Sequence, residues 1–427
     1  MEIEQLYECF ERCKQVSTDS RNCPKGSLFF AMRGANFNGN AYVSKAFEQG
    51  CAMAVIDDKD YFSDERCILV EDCLKTLQDL ARFHREKLGT PIIGITGTNG
   101  KTTTKELVSA VLSQKYNILY TQGNLNNHIG VPLTLLRLTN EHDMAVVEMG
   151  ANHPGEIESL VNISKPNYGL ITNVGKAHLE GFGSFEGVMK TKGELYEYLR
   201  MSKGKVFLHA DNPYLNKMAT DLDTITYGIS DSNYVSGSLI GVTPYLKVQY
   251  NTINGSIEIN TNLIGDYNLA NVMSAVCVGR YFNVSDDKIK IAIESYFPTN
   301  NRSQLCKTND NTLIIDAYNA NPTSMDAALQ NFAKIDATSK CVVLGDMFEL
   351  GETSLTEHQN IVHLIEKIGV HDVYLLGKNF SATKNEFKCF ENTEAFANYL
   401  KENPIIGKTI LIKGSNSMKM SSLVSYL

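Results

Sequence analysis

No Cys-x-x-Cys pair occurs among the ten cysteines (Cys9, Cys13, Cys23, Cys51, Cys67, Cys73, Cys277, Cys306, Cys341 and Cys389), so the usual zinc-finger spacing is absent. They read as reduced, partly buried thiols. Basic residues are not in excess: 40 Lys and Arg stand against 48 Asp and Glu, a formal net charge of −8. A surface that tracks nucleic-acid phosphates needs a concentrated basic patch, and none is visible. Nucleic acid is therefore not expected as a partner, and any anionic ligand must be held by local sites. No apolar run approaches the ~20 residues that a membrane span needs. Met1-Glu2-Ile3-Glu4 lacks the basic-then-apolar layout of a signal peptide, and the expectation is a cytoplasmic protein without a membrane span. Internal repeats and low-complexity tracts are missing too. The remaining composition, 43% hydrophobic and 21% charged over 427 residues, is that of a soluble globular protein too long for one core, with two to three domains.

The most informative stretch is Gly94-Ile95-Thr96-Gly97-Thr98-Asn99-Gly100-Lys101-Thr102-Thr103. An apolar strand, Pro91 to Thr96, feeds a glycine-rich turn that opens a helix from Lys101. Glycines let backbone N–H groups approach phosphate oxygens, and the helix N-terminus adds a positive dipole. Lys101 reaches for the β/γ-phosphates, and the Thr102 hydroxyl suits Mg²⁺. The strict pattern wants glycine five residues before Gly100 and finds Ile95 there. Strand, paired glycines, lysine and two threonines still coincide in the required order, which predicts a nucleoside triphosphate site.

Along the chain, short strands over Leu28–Met32 and Ala52–Ile56 alternate with helical stretches, and a polar helix around Thr76–Leu88 ends at Gly89-Thr90-Pro91. Gly and Pro there mark a boundary. From Pro91 onward, apolar runs at Ala145–Glu148, Tyr168–Thr172 and Lys205–Leu208 are separated by helix-length segments, the pattern of a parallel sheet. A strand-rich insert with Asn254-Gly255 reads as a hairpin. A helix follows over about Tyr267–Phe282, then a linker near Pro298-Thr299-Asn300-Asn301. The remainder alternates again through Thr312–Ile315, Cys341–Leu344, Val373–Leu376 and Thr409–Ile412, a second and smaller doubly wound unit. The fold class is α/β. The expected domains are residues 1–89, 90–298 and 299–427.

Two side chains sit where ligands bind in open α/β sheets, at carboxyl ends of strands. Glu148 closes Val146-Val147-Glu148, and a carboxylate beside a phosphate loop suits Mg²⁺; the alternative is a solvated strand-end glutamate. His178 follows the next strand in Asn173-Val174-Gly175-Lys176-Ala177-His178, as a metal ligand or a structural histidine. Lys192, in Met189-Lys190-Thr191-Lys192-Gly193-Glu194, reads on its own as one lysine on a charged helix face.

Taken together, Gly97–Thr103, the Glu148 strand end, and His178 followed fourteen positions later by Lys192 resemble the Mur ligases, ATP-dependent peptide-bond-forming enzymes of bacterial cell-wall synthesis. The resemblance spans all three segments. Asn124-Leu125-Asn126-Asn127-His128 and Gly345-Asp346-Met347-Phe348-Glu349-Leu350-Gly351-Glu352, with His358 downstream, are similar to the branch that joins D-alanyl-D-alanine to UDP-N-acetylmuramoyl-tripeptide.

That resemblance implies a central P-loop-type ATPase sheet flanked by a smaller N-terminal α/β domain and a C-terminal Rossmann-like domain, in a monomer that uses ATP and Mg²⁺. It implies UDP-substrate contacts at Ser20, Arg21, Arg33 and Gly34, where an arginine could pair with the diphosphate, and at Asn124, Asn126 and Asn127. Asn268 and Asn271 resemble the adenine-side asparagines, Arg302 an arginine that reaches ATP, and Asp316 with Asn319 the ribose side. Thr102 and Glu148 would hold one Mg²⁺; His178 and a carbamate on Lys192 would hold a second. The catalytic set so implied is Lys101, Glu148, His178, Lys192 and Arg302, acting through an acyl phosphate. One departure is Lys413-Gly414-Ser415-Asn416, where the family pattern ends in arginine. Another Mur ligase or a folylpolyglutamate synthetase-like amide ligase would share the phosphate loop, Glu148 and His178 but should lack the Gly345–Glu352 run. A P-loop binding or switch protein would keep only Lys101 and Thr102.

Overall fold

The structure, a computed structural model, describes residues 2–13, 15–299 and 301–427. Asn300, in the expected linker, lies outside the described residues. Three sheets carry the architecture, with a two-stranded ribbon beside the first.

The first sheet has four parallel strands in chain order, Val16–Ser17, Leu28–Phe30, Met53–Ile56 and Cys67–Leu69. Its last helix, Cys73–Leu88, starts where the Asp72 carboxylate accepts from the Lys75 N–H at 2.8 Å and stops at Gly89, whose φ of +68° ends the helix without a steric penalty. Leu77, Leu80 and Ala81 of this helix share one apolar cluster with Val131, Leu135, Leu160 and Val161 of the next segment. The helix also packs on Gly130–Leu135 and Glu156–Ser164.

The central sheet has nine strands. The phosphate-loop strand, Ile92–Thr96, lies between Tyr168–Ile171 and Met144–Glu148, pairing parallel with both. All five of its residues are buried, which is why the sequence there is a continuous apolar run rather than an alternating one. The chain leaves this strand for the edge at Ile118–Tyr120, returns to Met144–Glu148, then crosses to Tyr168–Ile171. Strand order reverses beside the phosphate loop, and that is where open parallel sheets bind ligands. The sheet runs on through Lys205–His209, Asp223–Gly228 and Val235–Gly241 into the expected hairpin, Lys247–Thr252 paired antiparallel with Gly255–Asn260. The edge strand Ile118–Tyr120 escapes a sequence reading because it is three residues long and its last residue, Tyr120, is exposed.

The third sheet has six strands, ordered Gln304–Lys307, Thr312–Asp316, Thr409–Lys413, Lys340–Gly345, Asp372–Leu376 and Lys388–Phe390. All but the first pair are parallel, and an apolar cluster covers each face. Register places Asp316 beside Lys413 at the carboxyl ends. All ten cysteines are free, eight of them buried. Among the described residues no helix is long and apolar enough to cross a membrane.

Candidate active site

The phosphate loop owes its shape to two glycines. Gly97 has φ of +143°, and a Cβ there would lie 2.0 Å from Thr172 Oγ1; Gly100 has φ of +79°, and a Cβ would meet Asn271 Oδ1 at 2.7 Å. Neither position admits a side chain. The loop is tied to the neighbouring strand end: the Thr98 N–H donates to the Asn173 carbonyl and the Asn99 N–H to Asn173 Oδ1, both at 3.0 Å. Lys101 opens the helix Lys101–Leu112 and folds back, donating from Nζ to the Gly97 and Thr98 carbonyls at 2.8 and 3.0 Å. Desolvation, helped by Arg302 and opposed by Glu148, lowers its ammonium to about 8.

A cavity of about 680 Å³ opens above this loop. It is lined by Thr98–Thr103, Asn124, Asn126, Asn127, Glu148, His178, Asn268, Asn271, Arg302, Asp316 and Asn319 among others. The three segments with Asn124, Glu148 and His178 come from the central sheet, whereas Arg302, Asp316 and Asn319 come from the third. Gly97 and Lys192 do not line it, and neither do Ser20, Arg21, Arg33 or Gly34.

Glu148 is 1% exposed. Its Oε1 accepts from Thr102 Oγ1 at 3.2 Å and Asn126 Nδ2 at 2.8 Å, while Oε2 is buried with no hydrogen-bond partner. A solvated strand-end glutamate is thereby excluded. A buried carboxylate oxygen left over next to a threonine hydroxyl and a phosphate loop fits a hard divalent cation that takes most of its ligands from water and phosphate. No three His, Cys, Asp or Glu side chains among the described residues form a ready cage, and a cation shared with a nucleotide requires none.

His178 sits in the left-handed region at φ of +50°. Its buried Nδ1 faces the Glu349 carboxylate, an ion-pair contact without the alignment of a full hydrogen bond. Burial lowers the imidazole below its ordinary value, against Glu349 and with Lys101 and Lys192 adding to the depression. Lys192 is not on a charged face. It is 2% exposed, lies 5.0 Å from the Phe182 ring and donates to the Ala151 carbonyl at 3.2 Å. Burial, reinforced by Lys101, brings its ammonium down to about 7. A signal for this was available: Val188, Lys192, Leu195 and Leu199 fall on one helical stripe, and all four are buried.

On the nucleoside side, Asn271 Nδ2 donates to Asn268 Oδ1 at 2.8 Å, and Thr104 Oγ1 donates to Asn271 Oδ1 at 3.0 Å. Arg302 stacks over Tyr318 at 3.7 Å, and its buried Nε has no partner. Asp316 accepts from Lys413 Nζ at 2.5 Å and from the Ser303 N–H at 3.2 Å. It caps no helix; Asn321 does, in a capping box with Ser324. Asn416 is exposed. On the first sheet, Arg21 forms a paired contact with Asp19, whose carboxyl these bonds hold down to about 2, and Arg33 pairs with Asp57 and Asp58.

Sequence reading passed over the contacts that join the second and third sheets. Asn321 Nδ2 donates to Asn99 Oδ1 at 2.8 Å, the Lys176 N–H donates to Thr323 Oγ1 at 2.9 Å, and Lys176 Nζ pairs with Glu357 at 2.7 Å. Lys334 pairs with Asp266 at 2.6 Å, and the Tyr267 and Ser303 hydroxyls meet at 2.6 Å.

Comparison with known proteins places this arrangement. The chain matches the family described as "Mur ligase family, catalytic domain" over residues 12–85, "Mur ligase middle domain" over 95–279 and "Mur ligase, glutamate ligase domain" over 301–416. It is 36% identical to the UDP-N-acetylmuramoyl-tripeptide--D-alanyl-D-alanine ligase of Bacillus subtilis strain 168, covering 96% of this chain and 92% of that one. The ligase of the same name from Escherichia coli K12 is 34% identical over 96% and 93%. A crystal structure of MurF from Acinetobacter baumannii superposes with a TM-score of 0.88 at 29% identity, covering 99% and 97%. MurF ligase from Thermotoga maritima in complex with ADP shares the fold at a TM-score of 0.85 and 24% identity, over 97% of each chain. With all three segments matched and the relatives covered almost end to end, the chain belongs to the Mur ligase family.

Proposed function

We propose that this chain is the ATP-dependent ligase that joins D-alanyl-D-alanine to UDP-N-acetylmuramoyl-tripeptide, through an acyl phosphate, in peptidoglycan precursor synthesis. The observation that carries the reading is the single cavity in which a phosphate loop, the unpartnered Glu148 Oε2 and a stacked Arg302 converge from two sheets. Likeness to ligases of this name along nearly the whole chain supports the substrates.

Carboxylate and amine do not condense unaided in water. The tripeptide's terminal carboxylate oxygen attacks the γ-phosphorus of ATP, and ADP leaves. The dipeptide amine then attacks the acyl carbon, inorganic phosphate leaves, and the amine proton passes to solvent. The incoming amine has an ordinary pKa of about 8, so no strong base is required near neutral pH. The chain's work is alignment and charge neutralisation. Backbone N–H groups of Gly97–Thr103 cradle phosphates, Lys101 and Arg302 share the γ-phosphate charge, and the Asn268–Asn271 pair and Asp316 with Asn319 hold the nucleoside. Ser20, Arg21, Arg33, Gly34, Asn124, Asn126 and Asn127 hold the UDP-sugar substrate, and Arg21 must exchange Asp19 for the diphosphate.

Thr102 and Glu148 would hold one Mg²⁺, and His178 with a carbamate on Lys192 a second. Bound Mg²⁺ neutralises phosphate oxygens during transfer. An amine near 7 is substantially neutral at physiological pH, so Lys192 can add to CO₂ and release a proton, turning a buried cation into an oxygen ligand. A cytoplasmic location, where ATP and a UDP-linked substrate are at hand, and a monomeric state belong to the same proposal.

Release of ADP from ATP tests the reading. It should require UDP-N-acetylmuramoyl-tripeptide and D-alanyl-D-alanine together. Turnover driven by a single amino acid in place of the dipeptide would overturn it and favour another ligase of the family or a folylpolyglutamate synthetase-like enzyme.

A further inference from the structure

The carboxylate beside His178 comes from the third sheet, on the loop that follows Lys340–Gly345. That loop is built to present it. The Asp346 carboxylate accepts from the Asn379 and Phe380 N–H groups at 3.0 and 2.9 Å, the Met347 N–H donates to His358 Nε2 at 3.0 Å, and the Phe348 N–H donates to Ser415 Oγ at 3.1 Å. Glu349 itself sits at φ of +62°, a region that non-glycine residues adopt only when the surroundings impose it. Its carbonyl accepts from the Glu180 N–H at 3.2 Å, two residues beyond His178.

Nearby carboxylates have other occupations. Asp316 is held by Lys413, Glu357 by Lys176, and Glu156 by the Asn152 and His153 N–H groups. Among the described residues Glu349 is the one side chain paired with His178. An ionised carboxylate can only accept, so closing this contact into a hydrogen bond requires the proton on the ring nitrogen that faces it. Metal-binding histidines are commonly oriented in this way by a carboxylate on the opposite ring nitrogen.

We infer that Glu349 is a positioning residue acting through His178: its carboxylate keeps the proton on Nδ1 and leaves Nε2 as the ligating nitrogen for a divalent cation, so that docking of the third sheet completes the cation site. The inference rests on the reading of His178 as a Mg²⁺ ligand. Cation affinity and docking are then linked, because each stabilises the arrangement the other needs.

The test uses full-length, ¹⁵N-histidine-labelled protein saturated with ADP and titrated with Mg²⁺, read at the His178 ring, whose signal is identified by its loss in His178→Ala. Glu349→Gly suits the positive φ, so the loop keeps its backbone while losing the carboxylate; Glu349→Gln keeps an acceptor oxygen. Expected results are a local Mg²⁺ affinity ~10–100-fold weaker in Glu349→Gly, a His178 ring that becomes a mixture of tautomers, and retention of the Nδ1-protonated form in Glu349→Gln. Unchanged Mg²⁺ response and tautomer in Glu349→Gly would overturn the inference alone. A His178 ring that ignores Mg²⁺ in the unsubstituted protein would remove the metal-ligand reading, and the inference with it.

Discussion

The central sheet meets its two neighbours through different materials. Toward the first sheet the junction is apolar: Leu77, Leu80 and Ala81 of the helix Cys73–Leu88 are continuous with the core of the central segment. Polar contacts accompany it: His84 Nε2 and Arg85 donate to the Leu138 carbonyl at 2.9 Å and the Ser164 carbonyl at 3.0 Å, Gln78 donates to the His128 carbonyl, and Glu86 pairs with Lys165. Toward the third sheet the junction is mostly side-chain amides, hydroxyls and ion pairs, many of them partly exposed, with Ile264 and Tyr245 the apolar residues that join the third sheet's core, and the cavity above the phosphate loop runs through it. An apolar interface is lost all at once when it opens, whereas polar partners can exchange for water at little net change. On this chemistry the first junction is the costlier one to open and the second the cheaper.

The largest expected effect belongs to the proposed chemistry, at a residue whose contacts to Ala151 and Phe182 lie within the central segment rather than in either junction. Lys192→Ala should lower turnover by ~10²–10³-fold or more while the protein remains folded, and acetate should restore part of it by refilling the vacated oxygen-ligand position. Lys192→Arg should not respond to acetate, because its fixed charge repels the cation. Steady-state ADP release with and without acetate checks both, and near-normal activity of Lys192→Ala would remove the carbamate from the mechanism.

Next comes the apolar junction, where loss should appear as stability rather than catalysis. Leu80→Ala should lower the unfolding free energy by ~2–5 kcal/mol, read by urea denaturation, with the KM for ATP unchanged. A rise in that KM would mean that the two junctions are mechanically coupled.

His84 distinguishes the junctions by pH. It is 5% exposed, between the Tyr7 hydroxyl and the Leu138 carbonyl, and burial lowers its folded pKa below the ordinary ~6.5. The unfolded chain then binds more protons as pH drops below ~6.5, so stability falls on acidification, by at most ~1.4 kcal/mol per pH unit from this one group. His84→Gln should flatten the slope of unfolding free energy between pH 7 and 5.5; an identical slope would assign it to other buried histidines.

The smallest effect is expected at Lys176. With its side chain 51% exposed, the Lys176–Glu357 pair should contribute only ~0–1 kcal/mol to unfolding. Lys176→Ala should nevertheless shift the ligand-free ensemble toward a larger radius of gyration by small-angle scattering. An unchanged radius would show that the remaining contacts suffice to hold the third sheet.

Local features were legible in the amino-acid pattern. Strand, paired glycines and helix at Ile92–Leu112, the strand-end position of Glu148, the hairpin at Asn254-Gly255 and the stop at Gly89 all follow from chemistry within a dozen residues. What resisted reading was partnership over long separations. Glu349, Asn321 and Lys176 stand in stretches that the pattern singled out, but their partners lie 171, 222 and 181 positions away, and no periodicity reports such pairings. Lys192 is the intermediate case: its stripe was visible, but its charge pointed to solvent, and only burial among Val188, Leu195 and Phe182 decides the matter.

The helix Pro322–Lys334 is fastened to the central body at both ends, by Asn321 and Thr323 at its start and by Lys334 at its close. Thirteen residues make a rod ~20 Å long. A rod pinned at two points along its length cannot tip without releasing a pin. Rolling about its long axis would swing Asn321, Thr323 and Lys334 away from their partners as well, so the clamp opposes both motions. Parting of the third sheet from the central body therefore breaks contacts at both ends of this helix together with Lys176–Glu357 and Tyr267–Ser303, so these distant pairs act as one latch.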